Sequence, residues 1–424
     1  MAEVTTPAAG PLGNWSGTYS YRAAAIHQPR TVAELQSLVA RGGSLHALGT
    51  RHSFNDVADA SELISLSALE GKVGIDEDAA TVTVSAGMRY GELAIQLQRA
   101  GWALANLASL PHISVAGSVA TATHGSGNAN PSMASAVTGL SLVTGTGDLV
   151  RVERDAPDFD GAVVNLGALG VMTELTLAIE PSFQMRQDVY ERLPWEALTE
   201  EFEAVMGAGY SVSAITDVVG DTIDMLWVKT RLTDGEPSTM PRELFGATAA
   251  TEKVHITRGN DPAYCTPQLG EPGAWCDRLP HFLLEYTPSS GAEIQSEYLM
   301  ERAHAPAAIE AVRGLGRLIA PLLRSAEIRT VAADEFWLSS AYHRDSFGIH
   351  FTWRPEPQAV AEVVGRIEAA IAPFDPRPHW GKVFTDGLDI SVSYPRLADF
   401  RELADRYDPA GVFRNPFLDR MIGR

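Results

Sequence analysis

Three short segments in the C-terminal half of the chain carry charged and polar side chains at spacings that suit hydrogen bonding to a bound molecule. Glu327 and Arg329 are two residues apart, so they lie on the same face if this segment is a strand. His350 and Thr352 have the same spacing, and Lys382 follows a glycine that permits irregular backbone. Each feature alone is more often structural than functional. Together they supply a carboxylate acceptor, cationic donors and a hydroxyl group, which is the set that recognition of a small polyhydroxylated molecule requires.

Two segments in the N-terminal half are rich in small residues that leave room for a long cofactor. The first, residues 47–55, follows a predicted buried strand and includes Gly49 and His52. Backbone N–H groups in such a loop can converge on a pyrophosphate without the help of a helix dipole. The second, residues 108–127, consists mostly of Ala, Ser, Thr and Gly and offers many donors with little bulk. Any one histidine in these loops is more often bonded to nearby backbone, and it is the combination that favours a cofactor site.

Several common cofactor and catalytic motifs are absent from the sequence. There is no G-x-G-x-x-G fingerprint, and the nearest match, Gly145-Thr146-Gly147, is better interpreted as a turn between two strands. No phosphate loop, G-x-S-x-G or H-E-x-x-H motif is present, so serine hydrolase and zinc peptidase interpretations have no support. A nucleotide cofactor must therefore be held by another type of loop, and we predict no metal site.

The composition is that of an acidic globular protein. The chain has 424 residues, of which 45% are hydrophobic and 20% charged, and its length favours two domains. A formal net charge of -20 argues against nucleic acid or an anionic membrane as a partner. No signal peptide or bilayer-spanning stretch is visible, so a cytoplasmic location is expected. Cys265 and Cys276 are the only cysteines, and we expect reduced thiols, although a disulfide is possible.

Short elements are predicted for the first 180 residues. Residues 1–11 are expected to be a flexible leader. Thr31 and Glu34 are typical of a capping box at the start of a helix that ends at Gly42-Gly43. We further predict strands at residues 45–48 and 81–84, a helix at residues 91–100, and a hairpin formed by residues 140–144 and 149–152.

From about residue 183 the pattern changes to that of a sheet with covering helices. We predict paired strands at residues 210–217 and 222–229, further strands at 281–286, 327–332 and 348–353, and helices at 305–323 and 358–372. This order of elements is typical of an α+β domain.

The two small-residue segments resemble a known flavoprotein pattern. The run Gly49-Thr50-Arg51-His52-Ser53-Phe54-Asn55, followed by residues 115–127, is similar to the FAD-binding domain of the vanillyl-alcohol-oxidase superfamily. More closely, the chain resembles the alditol oxidases, also called xylitol or sorbitol oxidases, from Asn14 to Asn415. The resemblance implies a two-domain α+β fold. It places the FAD-binding domain in residues 12–182 and 379–424, where the C-terminal tail returns to it, and the substrate or cap domain in residues 183–378.

The resemblance also implies a flavin attached covalently to the chain. In the family the histidine that matches His52 is bonded to the 8α-methyl group of the flavin, whereas His46 lies in the preceding strand and outside the motif. Such a bond fixes the ring and raises its potential, which helps it accept hydride from an unactivated alcohol. The implied contacts with FAD are made by Ala47, Leu48, Gly49, Thr50, Arg51, His52, Ser53, Ser109, Ser114, Gly117, Ser118, Thr121, Ala122, Thr123, His124, the loop Gly167-Ala168-Leu169-Gly170-Val171, and His379.

The segments that contain Glu327, His350 and Lys382 match the substrate site of the same family. By resemblance, substrate is contacted by Ser109, Glu327, Arg329, Thr352 and Lys382, with His350 nearby. The implied reaction transfers hydride from a terminal C1 to flavin N5, while Arg329 and Lys382 polarise the C1 hydroxyl and take or relay its proton, and Glu327 orients neighbouring hydroxyls. Reoxidation by O2 then gives an aldose and hydrogen peroxide. One departure is Glu301, where the resemblance predicts proline.

Two other functions stay open at this point. An aldonolactone oxidase or dehydrogenase of the same superfamily also carries an H-W-x-K element, although Glu327-Ile328-Arg329 and Ser109-Leu110-Pro111-His112 fit the alditol group better. A non-catalytic flavin- or carbohydrate-binding protein would have no need of the cap residues. We expect a monomer whose partners are a small polyol and O2.

Overall fold

The structure, a computed structural model, describes residues 12–71, 73–233, 240–285 and 292–423, together with the backbone of Thr5–Pro7. Two sheets form the N-terminal part of the chain. The first contains, in order across the sheet, Thr5–Pro7, Ala25–His27, Glu62–Ser65 and Leu45–Leu48. The second contains Gly74–Asp76, Thr81–Ser85, Val171–Ala178, Val137–Val143 and Leu149–Glu153, and a separate pair joins Trp102–Ala103 to Glu180–Pro181.

The N-terminal elements form where the sequence pattern predicts them. In the strand Thr81–Ser85, Val82 and Val84 are fully buried because alternate residues face the core. The helix Val32–Ala40 begins at Thr31, whose hydroxyl accepts the N–H of Glu34. The carboxylate of Glu34 accepts the N–H of Arg30 instead of that of Thr31, so the reciprocal half of the capping box is shifted by one residue. The expected leader is wrong for Thr5–Pro7, which pairs with Ala25–His27, and its other residues lie outside the described chain.

The larger sheet lies in the middle of the chain. Within the described residues it contains ten strands. In order they are Glu243–Leu244, Ala247–Ala249, Gln184–Pro194, Thr222–Arg231, Ser211–Thr216, Leu323–Val331, Ser346–Trp353, Ile294–Glu301 and Arg377–Pro378, with Gly273–Ala274 paired to Gln184–Pro194. The predicted pair at 210–217 and 222–229 is confirmed, as are the strands at 327–332 and 348–353.

Two predictions in this region are wrong. Residues 281–285 form no strand, because the N–H groups of His281 and Phe282 donate to the carbonyl of Ser109 and leave a single bridge to Cys265; residue 286 lies outside the described chain. The predicted helix 305–323 is divided into Ala305–Arg313 and Gly316–Ile319, with glycines at the break, and Leu323 already belongs to the next strand.

Buried apolar side chains of the described residues form two large cores. The first is built on the N-terminal sheets and includes the helices Val32–Ala40, Tyr90–Arg99, Val115–Ala120, Phe159–Val163, Ile390–Ser393, Leu397–Tyr407 and Pro416–Ile422. The second lies on the larger sheet and includes Trp195–Glu200, Phe202–Met206, Ala305–Arg313, Gly316–Ile319 and Pro357–Ile371. The C-terminal tail contacts the first core, since the carbonyl of Val412 accepts the N–H of Leu45 at 2.9 Å. The domain boundaries at 182/183 and 378/379 stay a prediction.

Two further features bear on the expectations from composition. No helix in the described ranges is long and apolar enough to cross a bilayer. Cys265 and Cys276 are both free thiols. Burial raises the pKa of each thiol to about 12, which keeps both protonated and poorly nucleophilic at neutral pH.

Candidate active site

One cavity is lined by both small-residue segments and by the polar face of the larger sheet. The predicted substrate residues all reach its wall: Ser109, Glu327, Arg329, His350, Thr352 and Lys382. Of the predicted cofactor residues, those on the wall are Ala47, Leu48, Gly49, Thr50, Arg51, His52, Ser53, Ser109, Ser114, Gly117, Ser118, Thr121, Thr123, His124, Gly167, Gly170 and His379. Four do not reach it, because their side chains are buried in the first core: Ala122, Ala168, Leu169 and Val171.

The loop that carries His52 presents a series of unused backbone donors. The N–H groups of Thr50, Arg51, His52 and Ser53 donate no hydrogen bond within the described part of the chain. Arg51 has a φ of 61°, in the left-handed region, so the chain turns here in the manner of an anion-binding nest. Trp15 holds the loop in place, because its backbone N–H donates to the carbonyl of Arg51 at 2.9 Å. This arrangement suits a negatively charged group such as a pyrophosphate.

The imidazole of His52 is half-buried in the cavity wall. Its ring stacks on Trp15 with centroids 5.4 Å apart, and Nδ1 lies 3.0 Å from the hydroxyl of Thr50. Burial, followed by the nearby His112, lowers the pKa of His52 to about 4. The ring is therefore neutral at physiological pH and retains a lone pair on one nitrogen, which a nucleophile requires.

The two small-residue segments approach each other closely at Gly49. A Cβ atom at this glycine would lie 2.6 Å from the hydroxyl oxygen of Ser114, so a side chain would push the segments apart. Ser114 also donates its N–H to the hydroxyl of Thr50 at 3.1 Å. The neighbouring His46 is 3% exposed and packs against Gly167, where a Cβ atom would lie 2.3 Å from its ring.

Three strands bring the charged side chains into one row. His350 is the cross-strand partner of Glu327 on one side and of Glu297 on the other. Directly opposite side chains in a sheet lie about 4.5–5.5 Å apart, within reach of one another. Thr352 is opposite Ser325 in the same pair of strands. The row therefore places one carboxylate on each side of His350 at the cavity.

Glu297 is the centre of the cluster, although the sequence analysis did not select it. Its carboxylate is buried, with Oε1 at 2.9 Å from Nη2 of Arg329 and Oε2 at 2.5 Å from Nζ of Lys382. Nε2 of His124 lies 3.4 Å from Oε1. Burial raises the pKa of Glu297, but the charges of Lys382 and Arg329, with a smaller effect of His124, outweigh it and hold the pKa well below its usual range. Glu297 is therefore ionised and orients both cations.

The described part of the protein contacts only one of the two carboxylate oxygens of Glu327. Its Oε1 lies 2.9 Å from Nε2 of His281 and 3.5 Å from Nε of Arg329. Burial raises the pKa of Glu327, yet Arg329 and then His281 bring it well below the usual value. Arg329 also donates to the hydroxyl of Ser109 at 3.3 Å, so the strand Leu323–Val331 directly contacts the small-residue segment 108–127.

Lys382 and His350 form a buried hydrogen-bonded pair. Nζ of Lys382 lies 2.6 Å from Nδ1 of His350, and Nε2 of His350 lies 3.1 Å from the hydroxyl of Thr352. Burial lowers the pKa of Lys382, although the charge of Glu297 raises it. Burial and then Lys382 lower the pKa of His350 to about 4. The pair thus has the properties of a proton donor and acceptor in a water-poor site.

The segment that carries Lys382 is fastened to the loop that carries His52. The side-chain amide of Asn55 donates to the carbonyls of Trp380 and Lys382, each at 2.8 Å, and Phe54 donates its N–H to Gly381 at 2.7 Å. His379 lies beside Lys382, with Nε2 at 3.3 Å from the hydroxyl of Thr123.

Three residues at or next to the site were missed: Glu297, His281 and Lys229, whose Nζ lies 3.0 Å from Nδ1 of His281. The signals that the sequence gives for them differ. Glu297 and Gln295 alternate in the strand Ile294–Glu301, which places both on one face, with Gln295 half-buried and Glu297 buried. Lys229 and His281 give no comparable signal, because Lys229 follows an ordinary apolar run and residues 281–286 resemble a strand. No group of three or more His, Cys, Asp or Glu side chains among the described residues is arranged to hold a metal ion.

Replacement of Glu297 by glutamine is expected to destabilise the protein by about 3–5 kcal/mol, because it leaves two buried cations without their shared carboxylate. The free energy of unfolding is measured by denaturant titration followed by tryptophan fluorescence. Glu301→Gln on the same strand is the matched control, since Glu301 is exposed and should stay within about 0.5 kcal/mol of the parent. Equal effects at both positions would contradict the central role of Glu297.

Comparison with known proteins gives matches to both halves of this site. A family model described as the FAD binding domain matches residues 23–153, which include the loop of His52 and the segment 108–127. A second, described as D-arabinono-1,4-lactone oxidase, matches residues 292–421, which include Glu297, His350 and Lys382.

Similar proteins cover almost the whole chain. An alditol oxidase from a Streptomyces species is 48% identical over 416 residues, which are 96% of this chain and 98% of the relative. An L-gulono-1,4-lactone dehydrogenase from Mycobacterium tuberculosis is 26% identical over 436 residues, or 97% and 98% of the two chains. The crystal structure of cholesterol oxidase from B. sterolicum superposes with a TM-score of 0.78 at 17% identity and covers all of both chains, a likeness that concerns the fold alone.

The matched FAD binding model and the 48% identity to an alditol oxidase define the class of protein: it is an FAD-dependent oxidoreductase, and its fold is that of the vanillyl-alcohol-oxidase family. Within that class the chain belongs to the alditol oxidase family, because it shares 48% identity with a family member over nearly its full length. The resemblance inferred from the sequence and the α+β fold class are both confirmed.

Proposed function

We propose that the protein oxidises alditols such as xylitol and sorbitol at the terminal C1 hydroxyl and passes the electrons to O2. The observation that carries this proposal is the charge balance of the cap side of the cavity. Two buried carboxylates, Glu297 and Glu327, face two cations, Arg329 and Lys382. A site that is neutral in sum and rich in donors and acceptors suits an uncharged, flexible polyol, which can be recognised by hydrogen bonds alone.

The residues of the two small-residue segments on the cavity wall fit FAD. The unused N–H groups of Thr50 to Ser53 would hold the pyrophosphate, the small side chains of the two segments leave room for an extended cofactor along the cavity wall, and the neutral His52 would form the covalent bond. His124 and His379 line the same cavity beside Glu297. When bound, FAD supplies the acceptor for a hydride from carbon and returns the two electrons to O2 as hydrogen peroxide.

The cap residues would bind and deprotonate the alcohol. Arg329 and Lys382 polarise the C1 hydroxyl, and the pair of Lys382 and His350 takes and relays its proton while C1 loses hydride. The alcohol thereby loses two electrons and two hydrogens and becomes an aldehyde, the open form of an aldose. Glu327 accepts hydrogen bonds from adjacent hydroxyls, with Ser109 and Thr352, and so sets the position of C1.

The similar proteins support this reading over its main alternative. The 48% identical relative carries the name alditol oxidase, whereas the lactone dehydrogenase is 26% identical. The match of residues 292–421 to a lactone oxidase model keeps an aldonolactone as the second candidate substrate. We also infer that the protein is a cytoplasmic monomer with no nucleic-acid or membrane partner, and that residues 12–182 with 379–424 form the FAD-binding domain and residues 183–378 the cap.

A substrate panel tests the proposal. Xylitol and sorbitol are expected to bleach the flavin absorbance of the anaerobic protein and, in air, to give one hydrogen peroxide per aldose formed. A γ-lactone is expected to bleach it far more slowly, because it offers fewer hydroxyl donors to Glu327. Faster reduction by the lactone would favour the lactone enzyme, and bleaching by neither would favour a binding protein.

A further inference from the structure

Two buried residues next to Glu327 have no part in the reaction proposed above. Lys229 is 1% exposed on the strand Thr222–Arg231, and His281 is 2% exposed in the segment that contacts Ser109. A buried lysine is costly unless its charge is fully satisfied. The presence of Lys229 close to Glu327 therefore requires a physical explanation.

The hydrogen bonds of Lys229 determine where the proton of His281 lies. Nζ of Lys229 is 2.5 Å from the carbonyl of Leu279, 3.1 Å from that of Pro280 and 3.0 Å from Nδ1 of His281. Three acceptors match the three donors of an ammonium group. Because an ammonium has no lone pair, Nδ1 of His281 must accept, and the imidazole proton must be on Nε2.

The proton on Nε2 is directed at Glu327. Nε2 of His281 lies 2.9 Å from Oε1 of the carboxylate, and Nε of Arg329 lies 3.5 Å from the same oxygen as an ion pair. Oε2 of Glu327 accepts no hydrogen bond from the residues that the structure describes, and Glu327 lines the cavity. One oxygen is held by the protein while the other stays available to a ligand.

The protonation of this chain of groups agrees with its geometry. Burial, followed by the charge of Lys229, lowers the pKa of His281 to about 4, so the ring is neutral. Burial lowers the pKa of Lys229 to about 7, while the charge of Glu327 raises it. With a pKa of about 7, Lys229 is partly deprotonated at neutral pH, but its ammonium and its amine can both donate to Nδ1 of His281. Ionised Glu327 accepts from Nε2, so the neutral imidazole keeps the tautomer that the distances require.

His281 also joins two predicted substrate residues through its backbone. Its N–H donates to the carbonyl of Ser109 at 3.0 Å, while its side chain holds Glu327. The Ser109 hydroxyl in turn lies 3.3 Å from Arg329. A displacement of His281 would therefore move both Ser109 and Glu327, which are two of the predicted substrate residues.

We propose that Lys229 and His281 are positioning residues for Glu327: the ammonium group fixes the imidazole tautomer, and the imidazole holds Oε1 so that Oε2 faces a hydroxyl donor of the substrate. The inference rests on the proposed function, because it takes Glu327 as the acceptor of a polyol hydroxyl. It also specifies the ligand chemistry at this point of the site, which must include an O–H donor.

The test measures anaerobic flavin reduction in the holoenzyme as a function of xylitol concentration. Lys229→Met removes the donors at similar side-chain length and is expected to raise the half-saturating xylitol concentration about tenfold or more, with a smaller change in the limiting rate. Glu327→Gln is expected to have a similar effect. The double variant should resemble Glu327→Gln alone, because both changes remove one interaction.

A second pair of variants keeps the test decisive if Lys229→Met does not fold. His281→Gln retains an N–H donor for Glu327 and should bind xylitol more tightly than His281→Leu, which has none. Additive effects of Lys229→Met and Glu327→Gln, or equal losses in the two His281 variants, would overturn the inference. Failure of xylitol to reduce the unaltered enzyme would instead count against the proposed function.

Discussion

A His52→Ala variant is expected to contain no covalently attached flavin, because alanine offers no nitrogen with which to bond the cofactor. In the parent protein the neutral imidazole stacks on Trp15 within the cavity wall, so its lone pair is available. After acid denaturation, the band on a denaturing gel should fluoresce under ultraviolet light for the parent and fall to background for the variant. Peptide mapping of the parent should place the fluorescence on the peptide that contains residue 52.

The variant should still bind some FAD without a covalent bond. The N–H groups of Thr50 to Ser53 belong to the backbone and are unchanged by the substitution. The matched control is His46→Asn, since His46 lines the same cavity but packs against Gly167. This control should keep its gel fluorescence. A fluorescent peptide that contains residue 46, or fluorescence that persists in His52→Ala, would contradict the assignment.

A Lys382→Met variant is expected to slow flavin reduction by an alditol by about 10²–10⁴-fold, the usual contribution of a positioned proton-transfer group. The substitution removes the cation that pairs with Glu297 at 2.5 Å and with His350 at 2.6 Å. Methionine has nearly the same length, so the backbone carbonyl of residue 382 should still accept the amide of Asn55. Flavin content should therefore change little. Anaerobic stopped-flow absorbance gives the reduction rate, and the acid-extracted or gel-bound flavin gives the content.

Lys253→Met is the control for this experiment, because Lys253 is exposed and does not line the cavity. Its reduction rate should equal that of the parent. A normal rate in Lys382→Met would remove Lys382 from the chemistry and leave His350 or Arg329 to take the proton. Loss of flavin along with the rate would instead indicate that Lys382 acts on cofactor binding.

Part of the site could be predicted because its signals are local in the sequence. Glu327 and Arg329 lie two residues apart on a strand, so their common face follows from the geometry of the strand. The loop of His52 is likewise a continuous segment, and its glycine and small side chains indicate a backbone that another group can approach closely. Family resemblance then added the cofactor and the substrate class, which spacing alone does not give.

Other parts could not be predicted because distant segments supply them. The bond between Lys382 and Glu297 joins residues 85 positions apart, and that between Lys229 and His281 spans 52. No local periodicity encodes such a pairing. The helix predicted at 305–323 also failed for a tertiary reason, since pairing of Leu323 with Trp353 takes the end of that apolar run into the sheet.

The sequence by itself determined the family, the small-residue loop of His52 and the faces of the individual strands, because each depends on residues that are neighbours along the chain. The tertiary structure alone decided which charges meet. The register of three strands places His350 between Glu297 and Glu327. A shift of one residue in either pairing would turn the row away from the cavity, because adjacent side chains of a strand point to opposite faces. The site therefore depends on the register between strands that are distant in the sequence. The amino-acid pattern limits this register, but the register cannot be inferred from the pattern alone.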